Sequence, residues 1–423
     1  MNHAGTRGNN ATDRRHVTDV SARYHKSNGT VSVNEEICYT VIVLKIAILG
    51  GSFNPVHKGH IFLAETVIET LGYGLVVLVP AYISPFKQGV PEDRDALKRQ
   101  AEERLSLLLA AVEGKRRLTV DDCEFAREGV SYTIDTIGDI VERYRPDGKP
   151  GLIIGDDLAR DFPRWRRARD IAGCCDLIVA NRTGDGAEIP FVHTRLGNVV
   201  MPVSSSMVRE KMAKGEDWRD WVPEGVAPPE PGISGDVSGD LSRNILRRIE
   251  REVRGMLPLG RFLHSRNVAL MACTLAARFG LDEDDAFLAG IAHDMAKGLS
   301  TPLGHGEMAA EMLRDSFGVT NSEVLEAVRW HTEGKVGMGD LAKIVYIADK
   351  IEPRRKTVDP RLRELGKTAP LDALFTEVVR GTHDYLERKG VVISENARRL
   401  LQHLETKTLQ KAEIGHEKKN ARG

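Results

Sequence analysis

The stretch Gly50-Gly51-Ser52-Phe53-Asn54-Pro55-Val56-His57-Lys58-Gly59-His60 decides the fold of the first half of the chain. It follows an apolar run at residues 41–49, which predicts a buried parallel strand, and precedes apolar residues at helical spacing that end at Gly72. Glycines in such a strand–turn–helix unit let the backbone approach phosphate oxygens, and the helix N-terminus adds free N–H groups. His57 and His60 can both face those phosphates and stabilise developing charge. The stretch therefore predicts a site for a nucleoside triphosphate.

Composition limits the classes to which the chain can belong. One core rarely supports 423 residues, so two domains are expected. The formal net charge of −1 provides no large basic field, and no nucleic-acid partner is predicted. Five cysteines without a C-x-x-C pair fit a reducing cytoplasm. No apolar run approaches the roughly 18 residues of a membrane span, so no membrane partner is predicted either.

The order of apolar and polar segments predicts the domain organisation. Residues 1–44 have almost no apolar periodicity and are expected to be disordered or untranslated. Residues 45–223 alternate apolar runs with helical stretches, which is typical of a parallel sheet covered by helices. Residues 224–243 are rich in proline, glycine and serine and predict a linker with few contacts across it. Residues 244–405 are helical throughout, and residues 406–423 form a charged tail. The expected strands of the first domain lie at residues 41–49, 75–80, 118–123, 152–155, 177–180 and 199–203.

A second candidate phosphate site follows the last of these apolar runs. Ser204-Ser205-Ser206 comes directly before a helical pattern that contains Arg209. Serines at a helix start cap free N–H groups, and the same groups can bind an anion. Arg209, one turn further on, offers a forked cation suited to phosphate. Together with the histidine stretch, these residues predict two walls of one triphosphate pocket.

Four motifs in the first domain resemble those of the nicotinate-mononucleotide adenylyltransferase family, within the nucleotidylyltransferase superfamily. The histidine motif alone leaves pantetheine-phosphate adenylyltransferases and cytidylyltransferases open, whereas the second and third motifs favour the pyridine-nucleotide branch. The resemblance implies a Rossmann-like α/β fold with a parallel sheet. The motifs are Gly50 to His60, Ser131-Tyr132-Thr133-Ile134-Asp135-Thr136-Ile137, Gly155-Asp156-Asp157 followed by Trp165, and Val203 to Arg209.

The same resemblance implies a reaction and the residues that carry it. The phosphate of nicotinate mononucleotide would attack the α-phosphorus of ATP in line, with Mg²⁺, so that the protein supplies position and charge. His57, His60 and Arg209 would be catalytic. A related transferase with another phosphorylated acceptor is the alternative. The residues expected to bind ATP or the mononucleotide are Gly50, Gly51, Ser52, Phe53, Lys87, Tyr132, Thr133, Asp156, Trp165, Ser204 and Ser205.

The second domain places histidines and aspartates on apolar helix faces. His264 lies on the apolar face of a helix expected at residues 262–279, and His293-Asp294 belongs to a helix at residues 286–296 that is apolar nearly all round. His331 and Asp349 continue two further apolar patterns. Burial of each group alone is costly, whereas a shared metal offsets the cost for all of them. An all-α bundle with a metal site is therefore predicted.

The segments around these residues resemble HD-domain phosphohydrolases, specifically symmetrical diadenosine-tetraphosphate hydrolases of the YqeK type. They lie at residues 261–265, 290–297, 305–310, 331–335 and 348–355. The resemblance implies iron or another transition metal, Lys297 as a catalytic cation, and Arg354 and Arg355 as contacts of the outer phosphates. Alternatives are a different nucleotide substrate or a non-catalytic nucleotide-binding module, and a homo-oligomer is compatible with the sequence. The implied metal ligands are His264, His293, Asp294, His305, His331 and Asp349.

Overall fold

The computed structural model describes residues 45–85, 93–184, 186, 189–227, 241–299 and 303–420. The predictions made for residues 1–44, for Lys87 and for most of the linker lie outside the described residues. No helix in the described part of the chain is both long enough and apolar enough to cross a bilayer.

The first domain is an α/β unit built on one parallel sheet, as the alternating apolar runs predict. Its described strands are β1 (Ile46–Gly51), β2 (Leu75–Pro80), β3 (Leu118–Val120), β4 (Gly151–Gly155), β5 (Asp176–Ala180) and β6 (His193–Leu196). Its helices are α1 (Lys58–Leu71), α2 (Arg94–Ala111), α3 (Cys123–Arg127), α4 (Thr133–Tyr144), α5 (Asp156–Ala159), α6 (Ala168–Cys174) and α7 (Ser205–Lys214). The strand order is β3-β2-β1-β4-β5-β6. The order reverses between β1 and β4, and ligands of such sheets bind beyond the carboxyl ends of the strands at that point.

Two of the expected strands differ from the observed ones. The run at 118–123 forms a strand only over Leu118–Val120, because the chain turns into α3 at Cys123. The run at 199–203 is not a strand in this structure, and the last strand is instead the polar segment His193–Leu196. In the described sheet β6 pairs only with β5, so its side chains do not need the apolar pattern of a central strand.

The second domain is all-helical, as predicted. It consists of α8 (Leu241–Met256), α9 (Leu259–Phe279), α10 (Glu283–Ala292), α11 (His305–Phe317), α12 (Ser322–Trp330), α13 (Asp340–Ile351), α14 (Pro360–Thr368), α15 (Leu371–Arg388) and α16 (Glu395–Asn420). Helices α9 and α10 approach very closely at Gly290, where an added Cβ would lie 2.5 Å from the Cα of Ala269. This contact places Gly290, three residues before His293, against the middle of α9.

The expectation of few contacts between the two domains is wrong. One apolar core continues from Leu109 and Val112 of the α/β domain to Ile249 and Val253 on α8. Arg266 on α9 is 1% exposed and crosses this boundary. Its guanidinium donates to the carbonyl oxygens of Leu118 (2.9 Å), Val112 (2.9 Å) and Lys115 (3.0 Å), as well as to Glu250 Oε1 (2.9 Å). The composition of the linker carries no information about this surface, because the helices beyond the linker form it.

Candidate functional site

The histidine stretch lies at the carboxyl ends of β1 and β4, beside a cavity of about 660 Å³. The backbone of residues 50–53 forms one side of the cavity, and the start of α7 forms another. Of the predicted substrate and catalytic residues, those that line it are Gly50, Gly51, Ser52, Phe53, His57, His60, Thr133, Trp165, Ser204, Ser205 and Arg209. The two predicted walls of the pocket thus meet at one cavity.

His57 and His60 form a stacked pair at the start of α1. Their ring centroids are 3.7 Å apart, and the His57 backbone N–H donates to His60 Nδ1 (3.2 Å). Within the described residues, both ring nitrogens of His57 are buried without a hydrogen-bond partner. Burial, with the nearby charge of Arg182, lowers the pKa of His57 to about 4. Burial and the neighbouring His57 likewise hold the pKa of His60 well below its usual value. Both rings are therefore neutral at pH 7 and can present N–H groups to an anion.

The start of α7 is tied to the histidine stretch. Ser204 caps the helix by accepting from the Met207 N–H (3.2 Å), and the Ser205 hydroxyl donates to the Pro55 carbonyl oxygen (2.8 Å). The Arg209 guanidinium donates to the Asn54 carbonyl oxygen. These bonds fix the distance between the two segments predicted to bind phosphate and leave the N-terminal amides of both helices at the cavity.

Asp156 and Tyr132 do not line the cavity. The buried Asp156 carboxylate accepts from the backbone N–H groups of Arg182 (2.9 Å), Thr183 (2.9 Å) and Gly184 (3.1 Å). Burial by itself would raise the pKa of Asp156, but these bonds hold it below its usual value. Asp156 therefore shapes a loop rather than facing the cavity. Tyr132 packs its ring under the Arg166 guanidinium, 4.4 Å from the ring centroid.

Sequence reasoning missed Arg182 and Asp157, which both line the cavity. Their side chains form an ion pair with a nitrogen–oxygen distance of 3.1 Å. Arg182 comes two residues after the strand predicted at 177–180, and Asp157 follows the strand predicted at 152–155. Because the carboxyl ends of parallel strands meet at the site, these positions could have been found from the strand pattern.

Glu124 is a third cavity residue that sequence reasoning missed. It lies on α3, is buried, and accepts a hydrogen bond from the Thr136 hydroxyl. Burial raises the pKa of the Glu124 carboxyl. Glu124 and Thr136 line the cavity together with Ser131 and Thr133. No motif quoted above includes Glu124, and a single glutamate in a short helix carries no signal of its own.

The second domain brings the predicted ligand residues into one cluster. The ligand atoms of His264, His293 and Asp349 lie within 4.8 Å of one another, and so do those of His293, Asp294 and His331. His293 belongs to both groups and is completely buried. His305 Nε2 lies 3.3 Å from Asp294 Oδ1 and 3.1 Å from His331 Nε2. Most of these residues lie at or near helix ends. For example, α10 ends just before His293, and α12 ends just before His331.

The Nδ1 atoms of three of these histidines have hydrogen-bond partners that fit metal binding by the other ring nitrogen, Nε2. The Nδ1 atoms of His293 and His331 lie 2.7 Å from the carbonyl oxygens of Gly290 and Val328, respectively. Nδ1 of His264 lies 3.1 Å from Glu352 Oε1. An Nδ1–H that donates to oxygen leaves the Nε2 lone pair directed at the centre of the cluster. Nε2 of His293 is buried and has no hydrogen-bond partner among the described residues. Such a nitrogen fits a metal ion as its missing partner.

The carboxylates of the cluster are held ionised, as ligands must be. Burial would raise the pKa of Asp294, but its contacts with His305, His331 and His293, with the charge of Lys297, hold it well below its usual value. The pKa of Asp349 is also well below its usual value. Burial would raise it, but Lys350 and the contacts with His264 and Arg355 lower it. The Lys297 ammonium lies 3.0 Å from Asp294 Oδ2.

The two predicted phosphate contacts at the end of α13 have different surroundings. Arg355 donates to the backbone oxygen of Asp349 (2.9 Å) and to its Oδ1 (2.6 Å), so it lies beside the cluster. Arg354 instead donates to Asp122 of the α/β domain and to the Gly260 carbonyl oxygen. All three guanidinium nitrogens of Arg354 are engaged there, and this geometry does not support the prediction that Arg354 holds outer phosphates.

Comparison with known proteins gives a separate match for each domain. Residues 48–211 match the model of the cytidylyltransferase-like family, and residues 261–354 match the HD domain model. A probable nicotinate-nucleotide adenylyltransferase of Borrelia garinii is 35% identical over 173 residues, which are 41% of this chain and 84% of the relative. A protein of the same description from Treponema pallidum is 33% identical over 43% of this chain and 94% of its own length.

Among solved structures, an HD superfamily hydrolase from Clostridium acetobutylicum, described as involved in NAD metabolism, is 27% identical with a TM-score of 0.36. The match covers 38% of this chain and 96% of that one.

Proposed function

Because the chain belongs to the nicotinate-nucleotide adenylyltransferase family, we propose that its α/β domain transfers the adenylyl group of ATP to nicotinate mononucleotide. The observation that carries the proposal is the cavity where His57, His60 and the start of α7 meet. A phosphate oxygen of the mononucleotide attacks the α-phosphorus, and the bond from this phosphorus to the bridging oxygen of the β-phosphate breaks. Pyrophosphate leaves, and the product is deamido-NAD.

The residues of the cavity have separate roles in this transfer. His57 and His60 donate hydrogen bonds to the phosphates as charge develops, and Arg209 adds a fixed positive charge. The amides at the starts of α1 and α7 bind the leaving pyrophosphate. Mg²⁺ bound with ATP would neutralise part of the phosphate charge. Thr133 and Trp165 line the part of the cavity that we assign to the mononucleotide.

A panel of phosphorylated acceptors offered with ATP tests this assignment. We expect nicotinate mononucleotide to be preferred over its amide, and His60→Ala to lower turnover about a hundredfold or more, since one preorganised donor is typically worth about 3 kcal/mol. His193→Ala is the matched control, because His193 lies on β6 and does not line the cavity. Preference for the amide or for another acceptor would refute the substrate assignment. Near-normal turnover of the His60 variant would refute the role of that residue.

For the helical domain we propose a metal-dependent phosphohydrolase that cleaves diadenosine tetraphosphate symmetrically to two ADP. The HD-domain match and the buried cluster around His293 support it. His264, His293, Asp294, His331 and Asp349 would hold iron or another transition metal, with His305 as a further ligand. A bound metal would supply Lewis-acid chemistry for attack of water on phosphorus. Lys297 and Arg355 would add positive charge for the phosphates.

Metal analysis joined to product analysis tests this second proposal. Asp294→Ala should lose most of the bound metal and all hydrolysis while adenylyl transfer continues. Asp315→Ala is the control, because Asp315 forms only an exposed pair with Arg314. Cleavage to ATP and AMP would refute the symmetrical reaction. Hydrolysis by protein without metal would refute the metal site as a whole.

A further inference from the structure

Hydrogen bonds of Arg354, together with the short helix α3, connect the cluster of predicted metal ligands to the wall of the proposed adenylyl-transfer cavity across the domain boundary. Arg354 is mostly buried. Its guanidinium donates to Asp122 Oδ1 (3.2 Å) and Oδ2 (2.7 Å), and to the Gly260 carbonyl oxygen (2.7 Å). This forked contact with a carboxylate is the geometry at which arginine is strongest and lysine weaker.

On the α/β side, Asp122 lies directly before α3. Its carboxylate makes no capping bond to that helix; besides binding Arg354, it lies 3.6 Å from the guanidinium of Arg143. Glu124, two residues on, lines the cavity and accepts from the Thr136 hydroxyl. Because α3 is only five residues long, a constraint on Asp122, the residue that precedes it, constrains Glu124 as well.

On the helical side, Glu352 connects Arg354 to the cluster. Its Oε2 accepts from the Arg354 backbone N–H (2.7 Å), and its Oε1 lies 3.1 Å from Nδ1 of His264. The bond to Glu352 comes from the backbone of Arg354. A side-chain substitution at 354 therefore breaks the contact with the α/β domain and leaves the support of His264 in place.

We propose that Arg354 is a positioning residue for adenylyl transfer: it fixes Asp122 and α3, and thereby the Glu124–Thr136 wall of the cavity. The helical domain thus contributes to the affinity of the α/β domain for its acceptor. The inference rests on the proposed function, which assigns Thr133 and its neighbours to the mononucleotide. It goes beyond that function by making the acceptor site dependent on a residue of the other domain.

The test compares Arg354→Ala with Lys367→Ala in the full chain. Lys367 also crosses the boundary, donating to the Arg145 carbonyl oxygen (3.0 Å) and Asp147 Oδ1 (3.0 Å), but it does not line the cavity. The two side chains are similarly exposed, at 20% and 21%. A general loss of domain contact should therefore affect both variants alike.

For Arg354→Ala we expect the KM for nicotinate mononucleotide to rise roughly two- to thirtyfold, the range typical of remote coupled residues. The KM for ATP and kcat should change less than twofold. Arg354→Lys should restore part of the acceptor affinity, and Asp122→Asn should reproduce the defect without adding to it in the double variant. An Arg354→Ala protein with the kinetics of Lys367→Ala, or with equal changes in both KM values, would overturn the proposal.

Amide hydrogen exchange separates this inference from the proposed function. Exchange at residues 123–127 and 133–136 should be faster in Arg354→Ala than in wild type, and unchanged in Lys367→Ala. Unchanged exchange in the Arg354 variant would overturn the positioning role even if adenylyl transfer is confirmed. If no acceptor in the panel is used by the wild type, the proposed function fails, and the exchange data still decide whether Arg354 holds α3.

Discussion

Arg266 provides the sharpest test of the domain interface. Arg266→Ala removes a guanidinium that is 1% exposed and bonds to Glu250 and to three backbone carbonyl oxygens of residues 112–118. Glu250 is equally buried and, within the described part of the chain, then keeps only the bond from the Gly114 N–H (2.7 Å). The substitution leaves a buried carboxylate without its counter-charge and removes the Arg266 donor from three carbonyl oxygens, of which those of Val112 (3.0 Å) and Lys115 (3.4 Å) keep a backbone donor.

The expected cost follows from these partners. Removal of one member of a buried ion pair typically costs about 3–5 kcal/mol, because the remaining charge is uncompensated. The loss of the bonds from Arg266 to the three carbonyl oxygens would add to this unless water enters the space. Since whole domains are stable by only about 5–15 kcal/mol, we expect the free energy of unfolding to fall by about 3–5 kcal/mol, a large fraction of the total.

Guanidinium-chloride unfolding followed by tryptophan fluorescence measures this loss. Trp165, Trp218 and Trp221 report on the α/β domain, and Trp330 reports on the helical one. Arg399→Ala is the control: its pair with Glu395 is about two-thirds exposed and should be worth less than about 1 kcal/mol. Two results would refute the reasoning. One is an Arg266 variant no less stable than the control, and the other is an Arg266→Ala, Glu250→Gln double variant no more stable than Arg266→Ala alone.

Two further predictions concern protonation and the linker. ATP binding at pH 6 should take up protons, because the His57 ring, with a pKa of about 4, is neutral in the free protein and a neighbouring polyphosphate favours its charged form. Calorimetry in two buffers of different ionisation enthalpy should show this uptake, which His57→Gln should largely abolish; a heat independent of buffer would contradict it. Cleavage at a protease site inserted near Gly232 should give two fragments that elute together on size exclusion, because Arg266 and the shared core hold them; fragments that elute separately would show that the interface is weak.

Much of the fold could be predicted, because the period and the length of an apolar run depend only on residues that are neighbours in the sequence. Continuous apolar runs between helical stretches predict central parallel strands, and five of the six expected runs overlap observed strands. The exception is the run at 199–203, which follows the edge strand of the sheet. An edge strand has one neighbouring strand, and its side chains are partly exposed. A polar segment such as His193–Leu196 then pairs without the apolar signal.

The candidate sites could be predicted to the extent that their residues lie in short motifs with a physical reason for their spacing. Histidines at a helix start and ligand-type residues on apolar faces predict both candidate sites from sequence alone. The role of Asp156 could not be predicted this way, because a motif does not distinguish a carboxylate that faces the ligand from one that binds the loop beside it. Its three backbone donors come from residues 182–184, more than 20 positions away.

The interface was hidden for a different reason, and the reason bears on how the two domains work together. Arg266 and Arg354 both lie within the region that matches the HD domain, where sequence alone favours a role in phosphate binding or in the core of that domain. In the structure both guanidinium groups bind the α/β domain instead. His264 lies on the same helix as Arg266, two residues away, and Asp349 lies five residues before Arg354. The elements that carry the predicted metal ligands are therefore also elements that bind the α/β domain.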